Sequence, residues 1–178
     1  MAAIAPRTHL AHFPAAVKNV LVIVSELQDA RATASILAAI HARESVRLHL
    51  LALETPPSGY ARSFLGGVDF HKVQRDSGLT TLAPLRAELD AARIPYRFHV
   101  EIGPWLATIA RYSRDIDCVR IVVGDNPGSI VRKLALRHDC WRIKSFLRRS
   151  GRDCAVVQRG EGARHPPADL SRKASHPN

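Results

Sequence analysis

The stretch Asp117-Cys-Val-Arg-Ile-Val-Val-Gly-Asp-Asn-Pro-Gly-Ser129 decides the fold. Val119, Ile121, Val122 and Val123 form a short β-branched run that ends at a turn of small residues, which is the pattern of a buried strand. A helical pattern follows from Ile130. In open α/β sheets, ligands bind in the crevice outside the carboxyl ends of the strands. Small residues at that point let an anion approach the backbone N–H groups that open the next helix. Gly124, Asp125, Gly128 and Ser129 are therefore candidate anion-binding residues, with Lys133 near enough in sequence to support the charge. Asp125 opposes it, and Ser129 also serves an ordinary strand-to-helix turn as N-cap.

Outward from this strand, the rest of the chain alternates in the same way. Val20-Leu-Val-Ile-Val24 is apolar on both faces and reads as a central parallel strand. Ser25-Glu-Leu-Gln28 has capping-box spacing, with Asp29 a rival N-cap. A helix over Ala30–Arg43 follows, with Ala34, Leu37, Ala38 and His41 at helical spacing. In the strand Val46–Leu53, Leu48, Leu50 and Ala52 take one face and Arg47, His49 and Leu51 the other. Residues 56–78, with four glycines, read as a long connection with room for a short helix. Leu79–Arg93 reads as a helix burying Leu82, Leu85, Leu89 and Ala92, and Tyr96–Ile102 as a strand at or near an edge. Gly103-Pro104 opens a helix through Arg114. Ile130–Arg149 is a helix with an expected interruption near Asp139, its inner face carrying Leu136, Cys140, Ile143 and Leu147. Cys154–Gln158 closes as the fifth strand.

Alternating strands and helices imply a single-domain α/β fold, a doubly wound parallel sheet with helices on both faces. The domain is expected over residues 18–159, between loose tails at 1–17 and 160–178. With 26 Lys/Arg against 16 Asp/Glu, the formal net charge is +10, which favours anionic partners. Eight of those cations and a single acid lie between Ile130 and Arg152, and Lys133, Arg137, Lys144 and Arg148 can share a helix face. No RRM, KH or zinc-finger pattern accompanies them. The expectation is a solvated basic face, or docking to an acidic protein, with nucleic acid disfavoured. No apolar run reaches the length of a membrane helix, and the expected location is the cytoplasm. Cys118, Cys140 and Cys154 show no metal spacing, and the nine histidines no paired-ligand or catalytic spacing. No metal and no catalytic residue are expected.

This order of elements resembles the universal stress protein family. The markers are Lys18-Asn-Val-Leu-Val-Ile-Val24, Asp117–Gly124, the following Gly128-Ser129 and the closing Cys154–Gln158. The resemblance implies a five-stranded sheet in order 3-2-1-4-5, a cytoplasmic stress-related role and often a homodimer. Cys154–Gln158 would be the edge strand through which copies pair, and Cys118 and Cys154 would start adjacent strands. In the family's nucleotide-binding branch an Asp after the first strand contacts adenine; Ser25 takes that position here. The branch's Gly-x-x-Gly, nine residues, Gly-Ser/Thr pattern is also broken. Pro127 takes the second glycine's place and removes an N–H, and no glycine occurs between Ser129 and Ser150. The resemblance thus points to a regulatory module without conventional ATP binding. A variant phosphate loop that accepts ATP is the alternative.

Overall fold

The structure, a computed structural model, describes residues 17–56, 69–124, 130–149 and 155–157. Strand β1 (Lys18–Val24) leads to helix α1 (Ala30–Arg43), β2 (Val46–Glu54) and α2 (Phe70–Ala91). Then come β3 (Tyr96–Ile102), α3 (Trp105–Asp115), β4 (Cys118–Val123), α4 (Ile130–Arg149) and β5 (Ala155–Val157). The strands form one all-parallel sheet in the order β3-β2-β1-β4-β5, as the resemblance implied.

Strand alternation divides the core in two. Val20, Val22, Leu48, Leu50 and Val122 face α1 and α2, meeting Leu37, Leu82, Leu85 and Leu89. Leu21, Ile23, Leu51, Ile121 and Val123 face α3 and α4, meeting Ile109, Tyr112, Ile143 and Leu147. Each fully buried leucine in these layers contributes about 1.5–3 kcal/mol. The sheet is therefore covered on both sides, which explains why β1 has no polar face.

The largest departure from the sequence reading is α2. It begins at Phe70, not Leu79, and absorbs the last part of the expected 56–78 connection. Asp69 caps it, its carboxylate accepting from the Lys72 N–H at 3.2 Å. Gly78 and Pro84 both lie inside it, residues that disfavour helix by about 1 and 3 kcal/mol. Burial of Leu82, Leu85 and Leu89 offsets that local penalty. Gly78 has its own reason: a Cβ there would come within 2.4 Å of Val100 Cγ1, so helix and strand meet at this point. Residues 57–68 of the connection lie outside the described residues.

Smaller corrections have equally local causes. Asp29, and not Ser25, caps α1, its Oδ1 accepting from the Ala32 N–H at 2.9 Å. His41 and Ala92, expected on buried faces, are exposed, and Ala92 is the C-cap that follows α2. Val119 is exposed on the face of β4 away from Cys118. Helix α4 runs through Asp139 without interruption. All but Val17 of the expected tails at 1–17 and 160–178, and Cys154 with its expected neighbourhood to Cys118, lie outside the described residues. No helix among the described residues is long and apolar enough to cross a membrane.

Candidate functional site

The carboxyl ends of β1 and β4 lie side by side, with Ile23 opposite Val123 and the Gly124 N–H donating to the Ile23 carbonyl at 3.4 Å. This places Ser25 and Gly124 on one crevice, as the sequence reading required. Asp125, Gly128 and Ser129 lie outside the described residues, and Lys133 belongs to α4 with its side chain not described.

After β1 the chain turns tightly, the Gln28 N–H donating to the Ser25 carbonyl at 3.2 Å. The Gln28 side chain folds back over the strand ends, where its Oε1 accepts from the Ser25 N–H at 3.4 Å. A Cβ on Gly124 would come within 1.9 Å of that same Oε1 and within 3.0 Å of Gln28 Cβ. Gln28 therefore fills the space that the missing side chain of Gly124 leaves open. Its Nε2 is buried and has no hydrogen-bond partner among the described residues. An unmet amide donor of this kind costs about 1–3 kcal/mol.

Beside this contact lies a cleft of about 210 Å³. Ser25, Glu26, Gln28 and Ala30 form one wall, and Thr80, Thr81, Pro84 and Leu85 of α2 the other. Ligand pockets usually span about 300–1,000 Å³. None of the described lining residues is a cation, and Glu26 brings negative charge to the rim. The nearest cation on α1, Arg31, points away from the core and pairs with Glu88 at 3.7 Å.

On the other face of the sheet is a cluster that spacing along the sequence could not reveal. His49 of β2 is only 4% exposed, and neither ring nitrogen has a hydrogen-bond partner among the described residues. Its ring stacks on His99 of β3, centroids 5.7 Å apart, and His99 in turn meets Tyr112 of α3 at 4.9 Å. Burial, reinforced by His99, Arg97 and Arg47, pushes the His49 pKa down to about 4. Burial also lowers His99, against the opposing pull of Glu101. Burial pushes the Tyr112 hydroxyl up to about 12, with Glu101 adding to it. Only the strand register, which sets Leu51 opposite His99, brings together two residues fifty positions apart in sequence. Among the described residues, no group of three or more His, Cys, Asp or Glu is placed to hold a metal ion.

No family model and no curated protein matches the sequence. Solved structures do. A universal stress protein family member from Burkholderia pseudomallei aligns at TM-score 0.53 and 18% identity, covering 79% of this chain and 93% of its own. A universal stress protein in complex with cAMP aligns at TM-score 0.51 and 15% identity, over 79% and 97% of the two chains. The hypothetical protein MJ0577 aligns at TM-score 0.56 and 13% identity, over 80% and 96%. At these identities the likeness concerns the fold: the chain has the universal stress protein-like fold over nearly the whole length of those proteins.

Proposed function

We propose that the chain is a cytoplasmic, non-catalytic regulatory module of the universal stress protein type that works without conventional ATP binding. The observation that carries this reading is Gln28. Its amide takes up the space above Gly124 through which a phosphate would approach the backbone at the end of β4. A cleft with no cation among its described walls, and Glu26 at its rim, further disfavours a triphosphate.

A second reading keeps nucleotide binding through a variant loop. It is favoured by the cAMP complex of a protein of the same fold and by the unmet Nε2 donor of Gln28, which an incoming acceptor would satisfy. The two are separated by the thermal midpoint measured with and without millimolar Mg-ATP, Mg-ADP, AMP and cAMP. A ligand at a hundred times its Kd stabilises by about 2.7 kcal/mol. In a chain of this size that is a rise of about 5–10 °C. No rise with any nucleotide supports the ATP-independent module. A rise of that size overturns it. Gln28→Ala is the informative variant, because a rise seen only there identifies Gln28 as the occluding group.

A further inference from the structure

Helix α4 carries an exposed aromatic residue in the middle of its basic face. Trp141 is 62% exposed, with Leu27 the highest value among the described large apolar residues. Arg137, Trp141, Lys144 and Arg148 recur at spacings of four, three and four residues, so they form one stripe along the helix. All four side chains are exposed. Arg142 and Arg149 flank the stripe and are exposed as well. Asp139 sits near the opposite side of the helix, 3.9 Å from His138 Nδ1. The His138 ring lies 6.1 Å from that of Trp141.

The composition of this surface narrows what can cover it. A lipid surface would need apolar residues free to insert, and Ile143 and Leu147 are instead buried against the sheet. A second copy related by a two-fold axis would bring the cations of one stripe against those of the other. The core of a protein interface is depleted of charge. Among the described residues the exposed neighbours of Trp141 are Arg137, His138, Arg142 and Lys144, mostly cations that suit an anionic partner. A flexible polyanion with planar bases suits both features, since stacking uses the indole face and phosphates use the cations. Arg137 and Lys144 are about 10 Å apart along the axis, and Lys144 and Arg148 about 6 Å.

We propose that this face of α4 binds single-stranded nucleic acid, with a base stacked on Trp141 and neighbouring phosphates paired with Arg137, Lys144 and Arg148. Helical spacing alone puts Trp141 on the face of Arg137, Lys144 and Arg148, and the structure adds that its side chain is exposed there. The proposal does not depend on whether the crevice at Gly124 accepts nucleotides.

The test is fluorescence anisotropy of a labelled twelve-nucleotide oligo(U) titrated with the full chain, with a glutamate decapeptide as competitor. Three phosphate contacts give a salt slope of about −2, so raising salt fourfold weakens binding about 20-fold. Trp141→Ala weakens it by about 5- to 100-fold at constant salt slope, with Trp141→Phe in between. Arg137→Ser or Lys144→Ser flattens the slope by about 0.7 each. Arg43→Ser, an exposed cation on α1, leaves binding unchanged. These substitutions replace exposed side chains, and an unchanged thermal midpoint confirms that each variant is folded. Absence of binding overturns the proposal. So does binding that ignores Trp141 and falls equally with Arg43→Ser, which is the behaviour of net charge alone. Displacement by the glutamate peptide at equal charge concentration, with no effect of Trp141→Ala, assigns the face to an acidic protein and also overturns it.

Discussion

Lowering the pH from 8 to 5 should destabilise the fold through His49. At pH 8 the imidazole is neutral in both the folded and the unfolded chain. As the pH falls through 6.5 the unfolded chain takes up a proton, while the folded chain does so only near pH 4. Over that window the unfolded state binds more protons, so stability falls with pH, by up to about 1.4 kcal/mol per unit. The full loss is about 3 kcal/mol, of which about 2 kcal/mol is incurred by pH 5. The surroundings explain why the folded protein resists the proton. Both ring nitrogens are buried with no partner among the described residues, Arg47 and Arg97 lie among the facing charges, and His99 would itself become cationic. Glu101, the carboxylate that acts on His99, is held by Arg111 at 2.6 Å, and Asp115 on α3 influences Tyr112. His99 adds a loss in the same direction. In a chain of this size, 2 kcal/mol lowers the thermal midpoint by about 4–8 °C. Calorimetry at pH 8, 6.5 and 5 reads it directly. His49→Leu should remove the His49 share and hold neutral-pH stability level or raise it, because it deletes two unmet polar atoms. A His49→Leu variant that loses as much between pH 8 and 5 as the parent would refute this account of the cluster.

Three further outcomes are expected. Gly78→Ala, despite its better helix propensity, should destabilise by about 1–3 kcal/mol in chemical denaturation, because its Cβ would press on Val100; a gain in stability would mean that α2 and β3 are not in close contact there. Glu44 joins Lys18 and Arg120, each at 3.0 Å, and the Lys18 hydrogen bond first and Arg120 second hold its carboxyl below the usual range. Its contribution is present at neutral pH and is lost on acidification through the lowered pKa, so Glu44→Gln should cost about 1 kcal/mol at pH 7 and less at pH 3, measured by urea unfolding. The edge strand at Cys154–Gln158, of which Ala155–Val157 is described, is expected to pair two copies, so sedimentation at micromolar concentration should give a dimer mass; a monomer would exclude that interface.

What the sequence carried well was periodicity. Val20–Val24 and Ile121–Val123 are apolar without alternation because both sheet faces are covered, and that alone places them near the middle of a parallel sheet. It failed at the start of α2, where Gly78 punctuates the local pattern as a loop would. Tertiary packing overrides it: Gly78 is needed for the approach of Val100, and leucines on the following turns anchor the helix. The crevice was half legible. Ser25 and Gly124 follow adjacent strand ends, since β1 pairs with β4 as the resemblance implied, but Gln28 read only as a capping residue. Its position over Gly124 follows from the tight turn that makes Asp29 the cap instead. His49 was assigned to the right strand face, but its partner depends on cross-strand register, which no single segment encodes.

The distribution of charge ties these observations together. A net charge of +10 invites the assumption that an anion belongs at the switch point of the sheet, where folds of this kind bind ligands. Yet the described walls of that crevice carry Glu26 and no cation, and the chain's own amide covers the glycine. Among the described residues a run of exposed cations, Arg137, Arg142, Lys144, Arg148 and Arg149, lies on the outer face of α4, whose inner face packs on the opposite side of the sheet from the cleft against α2. Summed charge steers an oppositely charged partner. The exposed cations around Trp141 and the crevice at Gly124 lie on different sides of the sheet, so evidence for a ligand at one is not evidence for a ligand at the other.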